Sequence, residues 1–260
     1  MSDWLVERDP PVAVLIVNRP RVLNAIPVAM YGELITIADR LDADPDIRVV
    51  IVRGAGTRAF VAGADVGEFE AELGTPEKAM AYDRRVERGT ARLSALQKPT
   101  IAMIHGYALG TGLLLAAACD LRFASDQARF GLPVARYGIM PSPPDLARLI
   151  RLIGYGAVLE MGLTARTYAA HQMQTMGFVN RVVDEEHLEA VTLAVAKQIA
   201  HLAPLSHMAL RDMARRASGL SPIPGVESEE MWYRRIYGSE DLHEGARAFR
   251  EQRAPHFHGR

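Results

Sequence analysis

Short apolar runs alternate with amphipathic stretches as far as Val183, and only amphipathic stretches follow. Val12-Ala13-Val14-Leu15-Ile16-Val17 is apolar throughout, which predicts a strand (Val12 to Asn18) buried on both faces. Trp4 to Arg8 predicts a strand before it, with Asp9-Pro10-Pro11 as the turn. Val49 to Val52, Thr100 to Ile104, Leu121 to Ala124 and Phe178 to Val183 read as further strands. Met30, Leu34, Ile37 and Leu41 recur at helical spacing and predict a helix from about Val28 to Asp42. A more polar helical stretch runs from Glu68 to about Leu96, broken at Gly74-Thr75-Pro76. Leu113 to Ala118 holds no β-branched residue and favours helix. Pro141-Ser142-Pro143-Pro144-Asp145 is a rigid loop that opens a helix to Ile153, and short helices fill Tyr155 to Met176. Glu185–His201, Leu205–Ala217, Gly225–Tyr237 and Asp241–Gln252 read as helices only. Strands alternating with helices, then helices alone, predict an α/β core over 1–200 and a helical region over 201–260. Met231-Trp232-Tyr233 with Ile236-Tyr237 gives that region an aromatic surface of the kind used between subunits.

Composition narrows the function without naming it. The 260 residues are 49% hydrophobic and 23% charged, enough for a sizeable core. A net charge of -1 gives no footprint for nucleic acid. The single cysteine, Cys119, excludes an intrachain disulfide, fits a reducing compartment and reads as a small buried hydrophobe. Met1-Ser2-Asp3-Trp4 shows no basic stretch followed by an apolar core, so no signal peptide is expected, and no run of about 18 apolar residues exists for a membrane span. A cytoplasmic protein is expected.

Several motifs are absent. No P-loop and no G-x-S-x-G elbow occur. None of the 8 histidines has zincin spacing, so no metal site is expected. Gly110-Thr111-Gly112 begins a dinucleotide-type turn, but Leu115 occupies the last glycine position.

The chemistry-bearing stretches are two. His105-Gly106-Tyr107-Ala108-Leu109-Gly110-Thr111-Gly112 is a glycine turn between a strand and a buried helix. The first N–H groups of that helix have no intrahelical partner and can hold an oxygen that develops negative charge. Phe60-Val61-Ala62-Gly63-Ala64-Asp65-Val66 leaves its backbone bare in the same way. Both stretches have a second reading, as tight crossings needed only for packing.

Taken together, the residues resemble the crotonase superfamily, the enoyl-CoA hydratase/isomerase family. The resemblance rests on Asn18-Arg19-Pro20 with Leu23-Asn24-Ala25, on Ala62-Gly63-Ala64-Asp65, and on Gly106-Tyr107-Ala108-Leu109-Gly110-x-Gly112 with Cys119-Asp120. It continues through Phe130-Gly131-x-Pro133, Gly138-Ile139-x-Pro141, Arg151-Leu152-Ile153-Gly154 and Ser239-Glu240-Asp241. It implies a spiral of ββα units with a C-terminal helical trimerisation region, as a homotrimer or a hexamer of paired trimers. It implies an acyl-CoA thioester whose carbonyl oxygen sits between the N–H groups of Ala64 and Thr111, with coenzyme A as part of the substrate and no separate cofactor. By the same resemblance, substrate contacts fall at Leu23, Ala25, Ala62, Asp65, Val66, Tyr107, Gly110, Leu114 and Val134. The family's two hydratase glutamates would stand at Leu114 and Val134, and neither side chain transfers a proton. Ser142 stands where some members carry an aspartate. Asp145 is then the candidate acid or base, against a purely structural role at a helix start. Glu68 and Tyr137 are weaker candidates. Two functions follow: a lyase or isomerase with a non-standard acid/base, or a non-catalytic acyl-CoA carrier or sensor.

Overall fold

The computed structural model describes residues 3–226 and 228–260. Met1 and Ser2, on which the signal-peptide expectation partly rests, lie outside the described residues. In chain order the elements are β1 (Trp4–Asp9), β2 (Val12–Val17), α1 (Ala29–Ala43), β3 (Val49–Gly54), β4 (Ala59–Val61), α2 (Phe69–Leu73) and α3 (Pro76–Ser94). There follow β5 (Thr100–Ile104), β6 (Tyr107–Leu109), α4 (Thr111–Ala118), β7 (Leu121–Ser125), β8 (Arg129–Gly131), α5 (Pro143–Ile153) and α6 (Tyr155–Thr164). The last are β9 (Thr167–Ala169), α7 (Ala170–Thr175), β10 (Arg181–Val183), α8 (Leu188–Ala200), α9 (Pro204–Ala217), α10 (Glu229–Tyr237) and α11 (Glu240–Glu251).

The strands form a 6-stranded sheet, ordered β1-β2-β3-β5-β7-β10, and a 4-stranded sheet, ordered β4-β6-β8-β9. β2, β3, β5, β7 and β10 run parallel, and β1 closes the edge antiparallel to β2. The chain visits the larger sheet, then the smaller, then a helix, three times over: β3 then β4, β5 then β6, β7 then β8. Each circuit lays one parallel strand beside its predecessor in both sheets. This is the spiral of ββα units.

Burial explains the apolar runs. β3 and β5 are buried along nearly their whole length, with helices on both sides. One face packs into the main core with α1, α3 and α4. The other face, through Val12, Val49, Ile51, Ile101 and Phe123, packs on Leu188, Ala196 and Ala200 of α8. α4 is apolar all round and buried all round beyond its first residue, as a helix with no polar face must be. The C-terminal helices hold a smaller cluster of their own, Ala209, Ile223, Val226 and Trp232. Asp212 ties it together, accepting from Trp232 Nε1 at 2.9 Å, Ile223 N at 2.8 Å and Arg216 Nε at 2.8 Å.

Three expectations on elements are corrected. Tyr107–Leu109 is a strand inside what reads as a glycine turn, and Thr167–Ala169 is a strand inside a stretch expected to be helical. α10 begins at Glu229 and not at Gly225, whose φ of +81° suits a turn. Among the described residues, no helix is long and apolar enough to cross a membrane.

Candidate active site

The site is built from two backbone turns. The first is held from behind by the loop after β2. Leu23 and Asn24 adopt left-handed φ values of 54° and 58°. The Asn24 side chain fixes this bend, donating to the carbonyl oxygens of Ala59 at 2.8 Å and Ala55 at 3.1 Å. Leu23 to Ile26 then runs beside Ala62 to Asp65. Ala62 N donates to Leu23 O at 3.0 Å, Ile26 N to Gly63 O at 3.0 Å and Asp65 N to Ile26 O at 3.1 Å. Arg19 Nη1 clamps both strips, donating to Ala25 O at 2.7 Å and to Asp65 Oδ2 at 2.9 Å. Asp65 Oδ1 takes the Gly67 N–H at 3.1 Å. Alternate N–H groups of an extended strip face opposite ways, and the Ala64 N–H donates to no protein acceptor among the described residues.

The second turn is Gly110-Thr111-Gly112, and each residue has a separate task. Gly110 takes φ 52° and ψ −118°, a conformation open in practice only to glycine, and its N–H donates to Gly131 O at 2.9 Å. Thr111 is already helical, so its β-branched side chain meets no left-handed strain. Its N–H, at the start of α4, likewise donates to no protein acceptor among the described residues. Gly112 serves packing: a Cβ there would lie 2.0 Å from Val61 O. A Cβ on Gly110 would lie 3.9 Å from Gly63 Cα, so the two turns meet backbone to backbone.

Both turns open into one cavity of ≈ 310 Å³. It gathers Ala62, Ala64, Val66, Gly110, Thr111, Leu114, Val134, Tyr137, Ser142 and Asp145 from among the residues singled out in the sequence. Phe69, Leu73, Val86 and Ile139 complete apolar walls. Leu23, Ala25 and Asp65 are not in the lining; they support the first turn from behind. Tyr107 stands 43% exposed on β6, outside the lining. Glu68 is also outside it, and its carboxylate accepts the Val28 N–H at 2.8 Å at the start of α1.

The enoyl-CoA hydratase/isomerase family model matches residues 7–260. The chain belongs to that family. It is 37% identical over 253 residues to the probable enoyl-CoA hydratase echA8 of Mycobacterium bovis, covering 97% of this chain and 96% of that one. It is 35% identical to the 2,3-dehydroadipyl-CoA hydratase of Escherichia coli over 261 residues and 100% of both chains. Among solved structures, an enoyl-CoA hydratase/carnithine racemase from Magnetospirillum magneticum superposes at TM-score 0.92 with 35% identity, covering 99% of this chain and 96% of that one.

In this family member, two carboxylates line the cavity. Asp145 is 3% exposed, at the third position of α5 after the N-cap Ser142. Its Oδ1 accepts from Arg148 Nη1 at 2.7 Å and its Oδ2 from Ser142 Oγ at 2.9 Å. Burial pushes the Asp145 carboxyl up against the opposing pull of Arg148 and Ser142. The second is Asp83 of α3, which sequence reading passes over as part of a polar helix. Burial, then the Asp145 charge, pushes its carboxyl up as well. The available signal was the spacing Ala79, Asp83, Val86, an acid inside the cavity-facing stripe of α3. The Tyr82 hydroxyl at the cavity is buried with no hydrogen-bond partner among the described residues, and Tyr31 lies buried in the adjoining core. Burial pushes both phenols well up. Cys119 is buried outside the cavity with its thiol pushed up to about 12, the setting of an inert thiol.

Proposed function

We propose that this protein binds an acyl-CoA thioester with its carbonyl oxygen between the N–H groups of Ala64 and Thr111, and that it stabilises the enolate of that thioester. One observation carries the reading: two N–H groups without acceptors among the described residues, on turns that meet backbone to backbone and open into one apolar-walled cavity. Fixed N–H donors favour an oxygen most when it carries charge, and removing one typically costs about 3–4 kcal/mol of transition-state stabilisation. The positive end of α4 adds to the same effect. The adenine and pantetheine portions are assigned to the strip formed by Leu23, Ala25, Ala62, Asp65 and Val66, with Tyr107 and Gly110 beside it. Coenzyme A enters as part of the substrate, and the reaction calls for no separate cofactor.

The reaction is of the lyase or isomerase type, run without the two glutamates of the hydratases. Leu114 and Val134, at those positions, extend the apolar wall and suit a long or aromatic acyl group. The second reading is an acyl-CoA carrier or sensor. It is favoured by the engagement of both Asp145 oxygens, with Arg148 and with Ser142. We assign residues 201–260 to the contacts of a trimer, or of trimers paired as a hexamer. The support is the apolar surface left on its helices, including Leu210 at 68%, Tyr237 at 63% and Phe249 at 86% exposure. A cytoplasmic setting fits the free, buried Cys119.

The test is calorimetry with acetyl-, crotonyl- and long-chain acyl-CoA, alongside hydration of crotonyl-CoA and a longer enoyl-CoA followed by thioester absorbance. Tighter binding of the longer acyl groups is expected. Equal affinity for all three removes the assignment of Leu114 and Val134 to the acyl wall. Absence of binding removes the reading itself.

A further inference from the structure

Leu114 and Val134 can transfer no proton, and the cavity offers a carboxylate from a different helix. We propose that Asp83 of α3 is the group that carries a proton between solvent and the carbon next to the thioester carbonyl, while Asp145 is a fixed charge behind it. The proposal rests on the acyl-CoA reading above.

Three observations lead there. First, Asp83 lines the cavity between Ala79 and Val86, and its carboxylate has no hydrogen bond or ion pair among the described residues. A half-buried carboxylate in a cavity, with no partner of its own, is a candidate for proton transfer. Second, the nearby cations are committed elsewhere. Arg85, two residues on, pairs with Glu72, and Arg148 pairs with Asp145. Third, Tyr82 is 6% exposed, lines the same cavity, and has a hydroxyl with no partner. Tyr82 and Asp83 thus bring two polar groups without protein partners among the described residues to one apolar-walled cavity.

The two aspartates differ in the way that divides roles. Asp145 has a guanidinium and a hydroxyl on its two oxygens, which oppose the upward push of burial. Asp83 has neither, and Asp145 is the charge that acts on it. On α3 itself, Arg84 and Arg88 are exposed and Glu77, Lys78 and Glu87 lie elsewhere along the helix, outside the cavity lining. From α1, Asp39 and Asp42 are held by Arg92, and Tyr31 is buried. From the segment before α2, Glu68 accepts from Val28 N. α4 contributes no charged residue. In the forward step the Asp83 carboxylate takes the proton from the α-carbon. That C–H bond breaks, its electrons pass to the thioester oxygen between Ala64 and Thr111, and an O–H bond forms on Asp83. The reverse step returns the proton to carbon and leaves the carboxylate.

The experiment is α-proton exchange of hexanoyl-CoA in D₂O, followed by NMR, with hexanoyl-CoA binding measured separately by calorimetry. Wild type is expected to exchange. Asp83→Asn should slow exchange by roughly 10²-fold or more, with hexanoyl-CoA still bound. Asp83→Glu should restore part of it, which loss of a merely structural side chain would not predict. Asp145→Asn should move the low-pH limb of exchange to lower pH, because a neighbouring negative charge has been removed. Should Asp145→Asn not fold, the two Asp83 variants decide alone, since Asp83 makes no hydrogen bond or ion pair among the described residues that they would break. Exchange that Asp83→Asn leaves unchanged overturns the proposal, as does a wild type that binds hexanoyl-CoA without exchanging it. A wild type that does not bind acyl-CoA at all overturns the acyl-CoA reading, and the proposal with it.

Discussion

At the scale of single residues, the glycines of the site separate packing from chemistry. Gly112 has no conformational demand, since it is helical, yet a Cβ there would sit 2.0 Å from Val61 O. That contact is with backbone and does not yield by rotamer change, so α4 must move away from β4. Gly112→Ala should therefore cost about 2–3 kcal/mol, at the upper end of overpacking penalties. Because α4 carries the Thr111 N–H, acyl-CoA affinity should fall in the same variant. Gly32 of α1 is the contrasting case, with nothing within 4 Å of a Cβ. Gly32→Ala should stabilise by about 0.5–1 kcal/mol through helix propensity alone. Urea midpoints at constant slope measure both, and the two substitutions should move them in opposite directions. A destabilising Gly32→Ala, or a neutral Gly112→Ala, would show that the spaces around them are not as described.

At the scale of elements, α5 shows how a start signal becomes part of a site. Ser142-Pro143-Pro144-Asp145 reads as an N-cap, two residues with fixed φ, and an acid in the first turn, and the helix begins there. Ser142→Ala removes the cap and also one of the two hydrogen bonds on the Asp145 carboxylate. The expected loss is about 1 kcal/mol, read as a lowered thermal midpoint. Helices of this sort are legible because 3.6-residue spacing and caps are local. The three-residue strands β6 and β9 are not, because so short a run shows no alternation and only its neighbours in the sheet define it. The turns that carry Ala64 and Thr111 were legible for the same local reason as α5: small residues and glycine mark them. Asp83 was not. It is one acid among many charges on α3, and only the packing of α3 against α4 and the approach of α5 bring it to the cavity. The resemblance to a family was equally silent on it, since it points to α4 and the Phe-Gly-x-Pro turn for acids.

At the scale of the whole molecule, the last residues return to the core and are held there by two acids of α11. Glu244 accepts from Arg253 Nη1 and Arg247 Nη2, each at 2.6 Å, and from His256 N at 3.0 Å. Asp241 accepts from His258 N at 2.7 Å and Gly259 N at 2.8 Å. Arg48, just before β3, completes the attachment by donating to Phe257 O at 2.7 Å and to Ala200 O at 3.2 Å. Arg253, then Arg247 and the His256 N–H, hold the Glu244 carboxyl far below the usual carboxylate range. A carboxyl lowered on folding stabilises the fold above its unfolded pKa of about 4.3 and loses that contribution as pH falls below it. The tail should thus stay protected through neutral and mildly acidic pH and loosen as pH falls below about 4, ahead of the buried sheets. Glu244→Gln should show the loosened tail already at neutral pH. Amide hydrogen exchange of His256, His258 and Gly259 checks this, and equal protection in the variant would mean that Glu244 does not hold the tail. Leu242 and Phe249 lie on the same helix, 42% and 86% exposed. If the proposed subunit contacts use them, a helix freed from its tail presents them less firmly. Glu244→Gln should then raise the concentration at which the assembly dissociates in sedimentation, while a variant with a loosened tail and unchanged dissociation would place the contacts elsewhere.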